Sequence, residues 1–298
     1  MLDPDKVSVG ITPTGWTNDD YPMLGDAISF GQCVTEMALA GFAGCSVGHK
    51  FPKDPDVLEQ ELSQRGLRVS EPWSSTFFTV NDMHDRTIES FRDSMAFIKR
   101  MGGTSVVVAE LGHAVHQQPV PPVANKPHFD AAQWAALTAG LNDLGRIAAE
   151  ADMRLCYHHH MGTGVMTRPE VDRLMAETDA EVVHLLLDTG HLYWAGDDPI
   201  DMARAYADRI RHVHLKDIRH DVMVRCNATN RTFIESVMEG VFTVPGDGCI
   251  DFSPIFRTLA DADYAGWLMV EAEQDPAKAN PLKYARMARQ YIRETAGV

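Results

Sequence analysis

Apolar residues in this chain fall into short continuous runs, separated by longer stretches in which they recur at helical spacing. The runs VSVGI (Val7–Ile11), GCSV (Gly44–Val47), TSVVVAE (Thr104–Glu110), MRLCYH (Met153–His158) and VVHLLLD (Val182–Asp188) predict strands. Uninterrupted runs such as TSVVVAE mark strands buried on both faces. A further strand region opens at Arg68–Pro72 and runs on toward Phe77–Val80. Another lies in Ile210–Asp217, and the last is Trp267–Glu273. Helices are predicted over Phe30–Ala40, Val57–Arg65, Arg86–Met101, Asp130–Ala151, Pro169–Glu177, Pro199–Asp208 and Leu282–Glu294. Leu111–Pro127, with its several prolines, predicts a long loop. His220–Phe242 predicts a polar, partly helical excursion, a lid or an interface element.

Strand and helix in alternation imply βαβ units and a parallel sheet. About eight strands in a chain of 298 residues fit a (β/α)8 TIM barrel, an α/β fold. No G-x-G-x-x-G opens a helix, which weakens the doubly wound dinucleotide-binding alternative. No repeat, low-complexity tract or linker divides the sequence, so one domain over residues 1–298 is expected.

Composition narrows the partners. Hydrophobic residues are 45% and charged residues 23%, an ordinary globular balance that argues against disorder. Lys+Arg is 27 and Asp+Glu is 42, a net charge of −15. That charge argues against nucleic acid, which is held by basic patches. No apolar run is long enough to span a bilayer, and the N-terminal MLDPDKVSVGI does not read as a secretory signal. Cys33, Cys45, Cys156, Cys226 and Cys249 are odd in number and widely spaced. They read as reduced thiols of a cytoplasmic protein.

Active sites of α/β barrels are built at the C-terminal ends of the strands. Five predicted strands finish there in carboxylate or imidazole groups: Glu110, the run His158–His160, Asp188, His214 and Glu271. Each has an ordinary reading. An Asp after a strand is commonly a helix N-cap, and Glu271 or Glu273 could simply pair with a Lys or Arg. In His212-Val213-His214, one imidazole is expected to face the barrel and the other the helices. His158 and His160 share one side of the chain, with His159 opposite. Taken together, Asp188, His214, Glu271 and a histidine of the triple run predict a divalent-metal site, because charges buried singly are costly. Mixed nitrogen and oxygen donors without thiolate suit Mn, Co, Zn or Fe(II).

The loops after the strands supply further candidates. GWTNDD (Gly15–Asp20) offers Trp16 to cover a sugar face and Asn18 and Asp19 to bind hydroxyls, or caps its own loop. Lys50 is a cationic contact or a solvated loop lysine. Glu110, His113, His116 and Gln117 are further contact candidates, and PGDG (Pro245–Gly248) reads as a turn.

The segments GITPTGWTNDD, YHHHMGTGV, LLLDTGHLYWAGDD, RHVHLKD, GVFTVPGDGCIDF and VEAEQDPAKANPLKYARMARQYI together resemble the inosose dehydratases of inositol catabolism, within the xylose-isomerase-like barrel superfamily. The resemblance runs from the first strand to the last helix. It implies a divalent metal, Mn2+ or Co2+, held by a Glu, an Asp, a His and a Glu from four strand ends. Asp188, His214 and Glu271 match three of these. At the fourth, YHHH replaces the glutamate, and His158 is the positional match with His160 as runner-up. His191 matches a substrate-contacting histidine, and the family has a glutathione dependence that no residue here explains. The implied reaction dehydrates scyllo-inosose, a cyclic polyol ketone, to a trihydroxycyclohexane-1,2-dione. An α-proton leaves, the β-hydroxyl follows as water, and the enol tautomerises. Glu271 or His191 is expected to transfer the proton, and Lys50 or a neighbouring histidine to protonate the leaving hydroxyl. A keto-sugar epimerase or isomerase, working through the same enolate, is the alternative. Related barrels imply a homo-oligomer.

Overall fold

In the computed structural model, which describes residues 1–298, nine strands join in one parallel sheet. They are β1 (Val7–Ile11), β2 (Gly44–Cys45), β3 (Arg68–Val69), β4 (Trp73–Thr76), β5 (Ser105–Glu110), β6 (Arg154–His158), β7 (Val183–Asp188) and β8 (Ile210–Leu215). After two short strands, β9 (Asp217–Ile218) and β10 (Phe242–Thr243), comes β11 (Gly266–Val270). The order across the sheet is β3-β2-β1-β11-β8-β7-β6-β5-β4. Its two ends, β3 and β4, are consecutive in sequence, separated only by Ser70, Glu71 and Pro72. The sheet therefore curls into a (β/α)8 TIM barrel, with β3 and β4 sharing one of its eight strand positions. Pro72 has no N–H to give a ladder, which accounts for the interruption of the predicted third strand.

The helices pack outside. Their ends carry the expected signals: Ser29 caps Phe30–Ala40, Asp130 and Gln133 form a reciprocal capping box for Ala131–Glu150, and Gly41 closes the first helix at φ 88°. Predicted and observed helices agree to within a few residues. Phe77–Val80 proves to be a turn rather than strand, and Thr189–Trp194 is a short helix that the pattern did not show. Pro122–Asn125 makes one helical turn inside the long loop. The excursion at 220–242 resolves into two helices, His220–Ala228 and Phe233–Glu239, held at their base by antiparallel pairing of β9 with β10. No helix is long and apolar enough to cross a membrane.

Inside the barrel, Val107, Cys156 and Leu186 form a small buried cluster of their own. Met269 fills the space beside Gly10, where a Cβ would stand 2.5 Å from its sulfur. This layer sets the phase of every strand. By the two-residue period, His158 lies on the side of Cys156 and Asp188 on that of Leu186. Glu271 lies on the side of Met269, whereas Glu110 takes the side opposite Val107.

Candidate metal centre and cavity

Four side chains meet above that inner layer. One donor atom from each of His158, Asp188, His214 and Glu271 lies within 4.8 Å of all the others. They come from β6, β7, β8 and the end of β11, four neighbours in the sheet. Asp188 Oδ2 is 3.2 Å from His158 Nε2 and 3.7 Å from His214 Nδ1. His214 Nδ1 and Glu271 Oε2 face each other in contact, yet neither has a hydrogen-bond partner. Donors bound to one ion at ~2.1 Å stand ~3–3.5 Å apart. Two carboxylates and two imidazoles at such spacing, with orphaned donor atoms between them, fit a divalent cation.

Asp188 answers both of its readings at once. Its Oδ1 accepts the N–H of His191 at 2.8 Å and caps the helix Thr189–Trp194, while Oδ2 faces the cluster. Burial would raise its pKa, but His191 and Lys216 outweigh that and hold the carboxyl well below the usual range. Burial pulls His158 below the ordinary imidazole value, which favours the neutral form that metals bind.

The histidine run splits as its period requires. His159 faces away, where its Nε2 accepts the backbone N–H of Asp188 at 3.2 Å and burial lowers it to about 3. His160 shares the side of His158 but stands outside the four-donor cluster. Its Nδ1–H donates to the Met161 carbonyl at 2.9 Å, and its ring packs 3.9 Å from that of His191. The expectation for His212-Val213-His214 is corrected: both imidazoles face inward and both meet the carboxylate of Glu71. Residues two apart in a strand share a side.

A cavity of about 300 Å3 opens over the cluster, lined in part by Glu71, Trp73, His160, His214, Glu271 and Glu273. Asn18 and Asp19 also line it. Asn18 Oδ1 accepts the N–H of Tyr21, and Asp19 holds His49 at 2.7 Å. His116 and Gln117 complete the far wall, with Gln117 donating to Asp20 at 2.6 Å. His113 lies outside this lining, its Nε2 3.3 Å from the Thr79 carbonyl. The PGDG loop turns the amides of Gly246 and Gly248 inward on Asp217, which also accepts the N–H of Ile250 just beyond it, as a turn would.

Besides His113, four of the expected contact or proton-transfer residues stand outside the cavity lining: His191, which is fully buried, and Trp16, Lys50 and Glu110. Trp16 is buried, with its indole N–H on Glu36 at 2.7 Å, and is absent from the cavity wall. Lys50 donates to the carbonyls of Gly25, Asp26 and Ile28, so its ammonium ties down a loop. Glu110, on the outward phase of β5, accepts from Thr76 Oγ1, the amides of Phe78, Thr79 and Gly112, and Thr79 Oγ1. Five donors leave it no capacity for a ligand.

The sequence reading missed three residues. Glu71 ends the β3 region and faces His212 and His214. The strand-end rule that singled out Asp188 applied equally to it. Lys216, fully buried, donates to Glu273 at 2.9 Å and His191 Nε2 at 2.8 Å. Its stem crosses Gly190, where a Cβ would meet Lys216 Cγ at 2.5 Å. Burial opposes its charge, but Glu271, Glu273 and Asp188 prevail and raise its pKa. Burial pushes Glu273 up to about 7, against the pull of Lys216. Trp73, 42% exposed, presents the aromatic surface that Trp16 was expected to supply.

Comparison with known proteins matches this architecture. Residues 34–295 match the family model described as xylose isomerase-like TIM barrel. An inosose dehydratase of Geobacillus thermodenitrificans is 50% identical, and one of Clostridium botulinum 48% identical, each over the whole of both chains. Among solved structures, an IOLI protein with a bound zinc atom superposes with a TM-score of 0.71 at 15% identity, covering 97% of this chain and 98% of that one. An L-ribulose 3-epimerase gives 0.70 at 19%, covering 98% and 95%. At such identities these two share the fold. The chain belongs to the xylose isomerase-like TIM barrel family and, within it, to the inosose dehydratases. It is accordingly an enzyme, a hydro-lyase.

Proposed function

We propose that this enzyme removes water from scyllo-inosose, giving 3D-(3,5/4)-trihydroxycyclohexane-1,2-dione, with a divalent cation held by His158, Asp188, His214 and Glu271. The observation that carries the reading is the four-donor cluster at the floor of a polar cavity. A cation there, manganese or cobalt in this reading, supplies a Lewis acid that polarises the ketone and an adjacent oxygen.

The chain's own groups do the rest. The cavity is lined mostly by polar residues suited to hydroxyls, with Asn18 and Asp19 on one wall and Trp73 on another. His191 Nε2 accepts from the Lys216 ammonium, which fixes the neutral ring's proton on Nδ1, an atom with no other partner. Burial, His160 and Lys216 hold this imidazole well below its ordinary pKa. His191 therefore keeps its N–H on Nδ1, a buried atom outside the cavity lining. Glu271 lines the cavity and has an unpartnered oxygen, which supports a role as ligand or as proton acceptor at the α-carbon. The proton taken there and the departing hydroxyl make the water that leaves.

The test is an absorbance assay for the dione on incubation with scyllo-inosose, with chelator and with added Mn2+ or Co2+. Appearance of the dione, lost with chelator and restored by metal, is expected. An isomeric ketone without dione would give the reading to the epimerase class instead.

A further inference from the structure

Glu71 is 3% exposed, in the three-residue break between β3 and β4, and none of the readings above gives it a role. Its Oε1 accepts the Nε2–H of His214 at 3.0 Å, and its Oε2 faces His212 Nε2 in contact, neither of those two atoms having a hydrogen-bond partner. His214 thus has its two ring nitrogens in different surroundings: Nε2 on Glu71, and Nδ1 on Asp188 and Glu271. A neutral imidazole carries one N–H and one lone pair, and the hydrogen bond made by one nitrogen decides the state of the other. His212 is fully buried and lies outside the four-donor cluster, but with Glu71 and His214 it forms a second, three-donor group.

We propose that Glu71 is a positioning residue for the metal centre: it draws the proton of His214 to Nε2, so that the Nδ1 lone pair faces Asp188 and Glu271, with His212 holding the second carboxylate oxygen. This rests on the metal site of the preceding section. The break at Ser70–Pro72 turns a carboxylate inward, against a strand lying across the barrel from it. Partners of this kind typically change metal affinity by 10–100-fold when removed.

The test is Zn2+ binding by competition with a chromophoric chelator, together with the visible spectrum of the Co2+-loaded protein. Glu71→Gln keeps the size but sets an amide, with donor and acceptor ends, against two imidazoles. We expect it to bind Zn2+ 10–100-fold more weakly and to change the Co2+ band, with the circular dichroism of the metal-free protein unchanged. Glu71→Asp, whose shorter side chain reaches one imidazole at most, is expected to lose several-fold, and it stands in if the glutamine variant does not fold. Wild-type Zn2+ affinity in either folded variant would overturn the proposal. So would two Zn2+ per chain in the wild type with one lost in Glu71→Gln, which would make Glu71 a ligand. A wild-type protein that binds no Zn2+ would instead remove the metal site itself.

Discussion

The ammonium of Lys216 lies 2.9 Å from Glu273 and 2.8 Å from His191, with Asp188 and Glu271 at 3.8 and 3.7 Å. One buried cation therefore stands against two buried carboxylates, Asp188 and Glu273, and a partly exposed third, Glu271, and fixes the tautomer of an imidazole. Breaking such an arrangement from one side leaves uncompensated charge and typically costs ~3–5 kcal/mol. Lys216→Met should lose stability of about that size in urea unfolding. Adding Glu273→Gln should return part of it, because the two residues are in contact and their effects do not add.

Trp73 exposes an indole to the cavity, its N–H fixed on Ser75 Oγ at 3.0 Å and its ring edge-on to His158 at 5.4 Å. An exposed aromatic wall in a polar cavity suits the C–H face of a polyol ring. Trp73→Ala should raise KM for scyllo-inosose roughly tenfold, equivalent to ~1.4 kcal/mol of binding, with a smaller change in kcat. Trp73→Phe should stay within a few-fold. An unchanged KM in the alanine variant would show that the wall is not used.

Lys50 was expected to protonate the leaving hydroxyl, but it donates to three main-chain carbonyls instead. Lys50→Met should therefore keep kcat/KM within a few-fold while losing ~1–3 kcal/mol of stability through unsatisfied acceptors. Loss of activity by orders of magnitude in a folded Lys50→Met enzyme would return the residue to the reaction.

His184, at the start of β7 and the opposite end of that strand from Asp188, is lowered to about 4 by burial and by Arg211, Arg154 and Arg209. Its unfolded value is ~6.5, so the folded chain binds fewer protons between these limits. Its contribution is present above pH ~6.5 and is lost as pH falls toward 4. Urea midpoints measured from pH 7 to 4.5 should fall less steeply in His184→Gln than in the wild type. Parallel curves would show that His184 does not titrate as described.

Elements were legible in the chain because buried strands and amphipathic helices have different periods. What proved harder was the side that each strand end faces. Glu110 and Asp188 look alike as terminal carboxylates, yet the phase of β5 turns Glu110 to its own hydrogen-bond network and that of β7 turns Asp188 inward. His212 and His214 needed only the two-residue period, and both face in. Glu71 stands at the end of the predicted Arg68–Pro72 strand, and the strand-end rule would have found it as it found Asp188. Trp73 and Trp16 are indistinguishable by type; the fold alone buries one and exposes the other. The short helix after Asp188 has too few residues for a helical period to show.

The central claim is that four strand ends hold one divalent cation. The most direct measurement is anomalous diffraction from crystals of the enzyme grown with Mn2+. One peak is expected within ~2.3 Å of donor atoms of His158, Asp188, His214 and Glu271, distances usual for hard divalent ions. No peak there, or a peak coordinated by His160 in place of His158, would contradict the site as described.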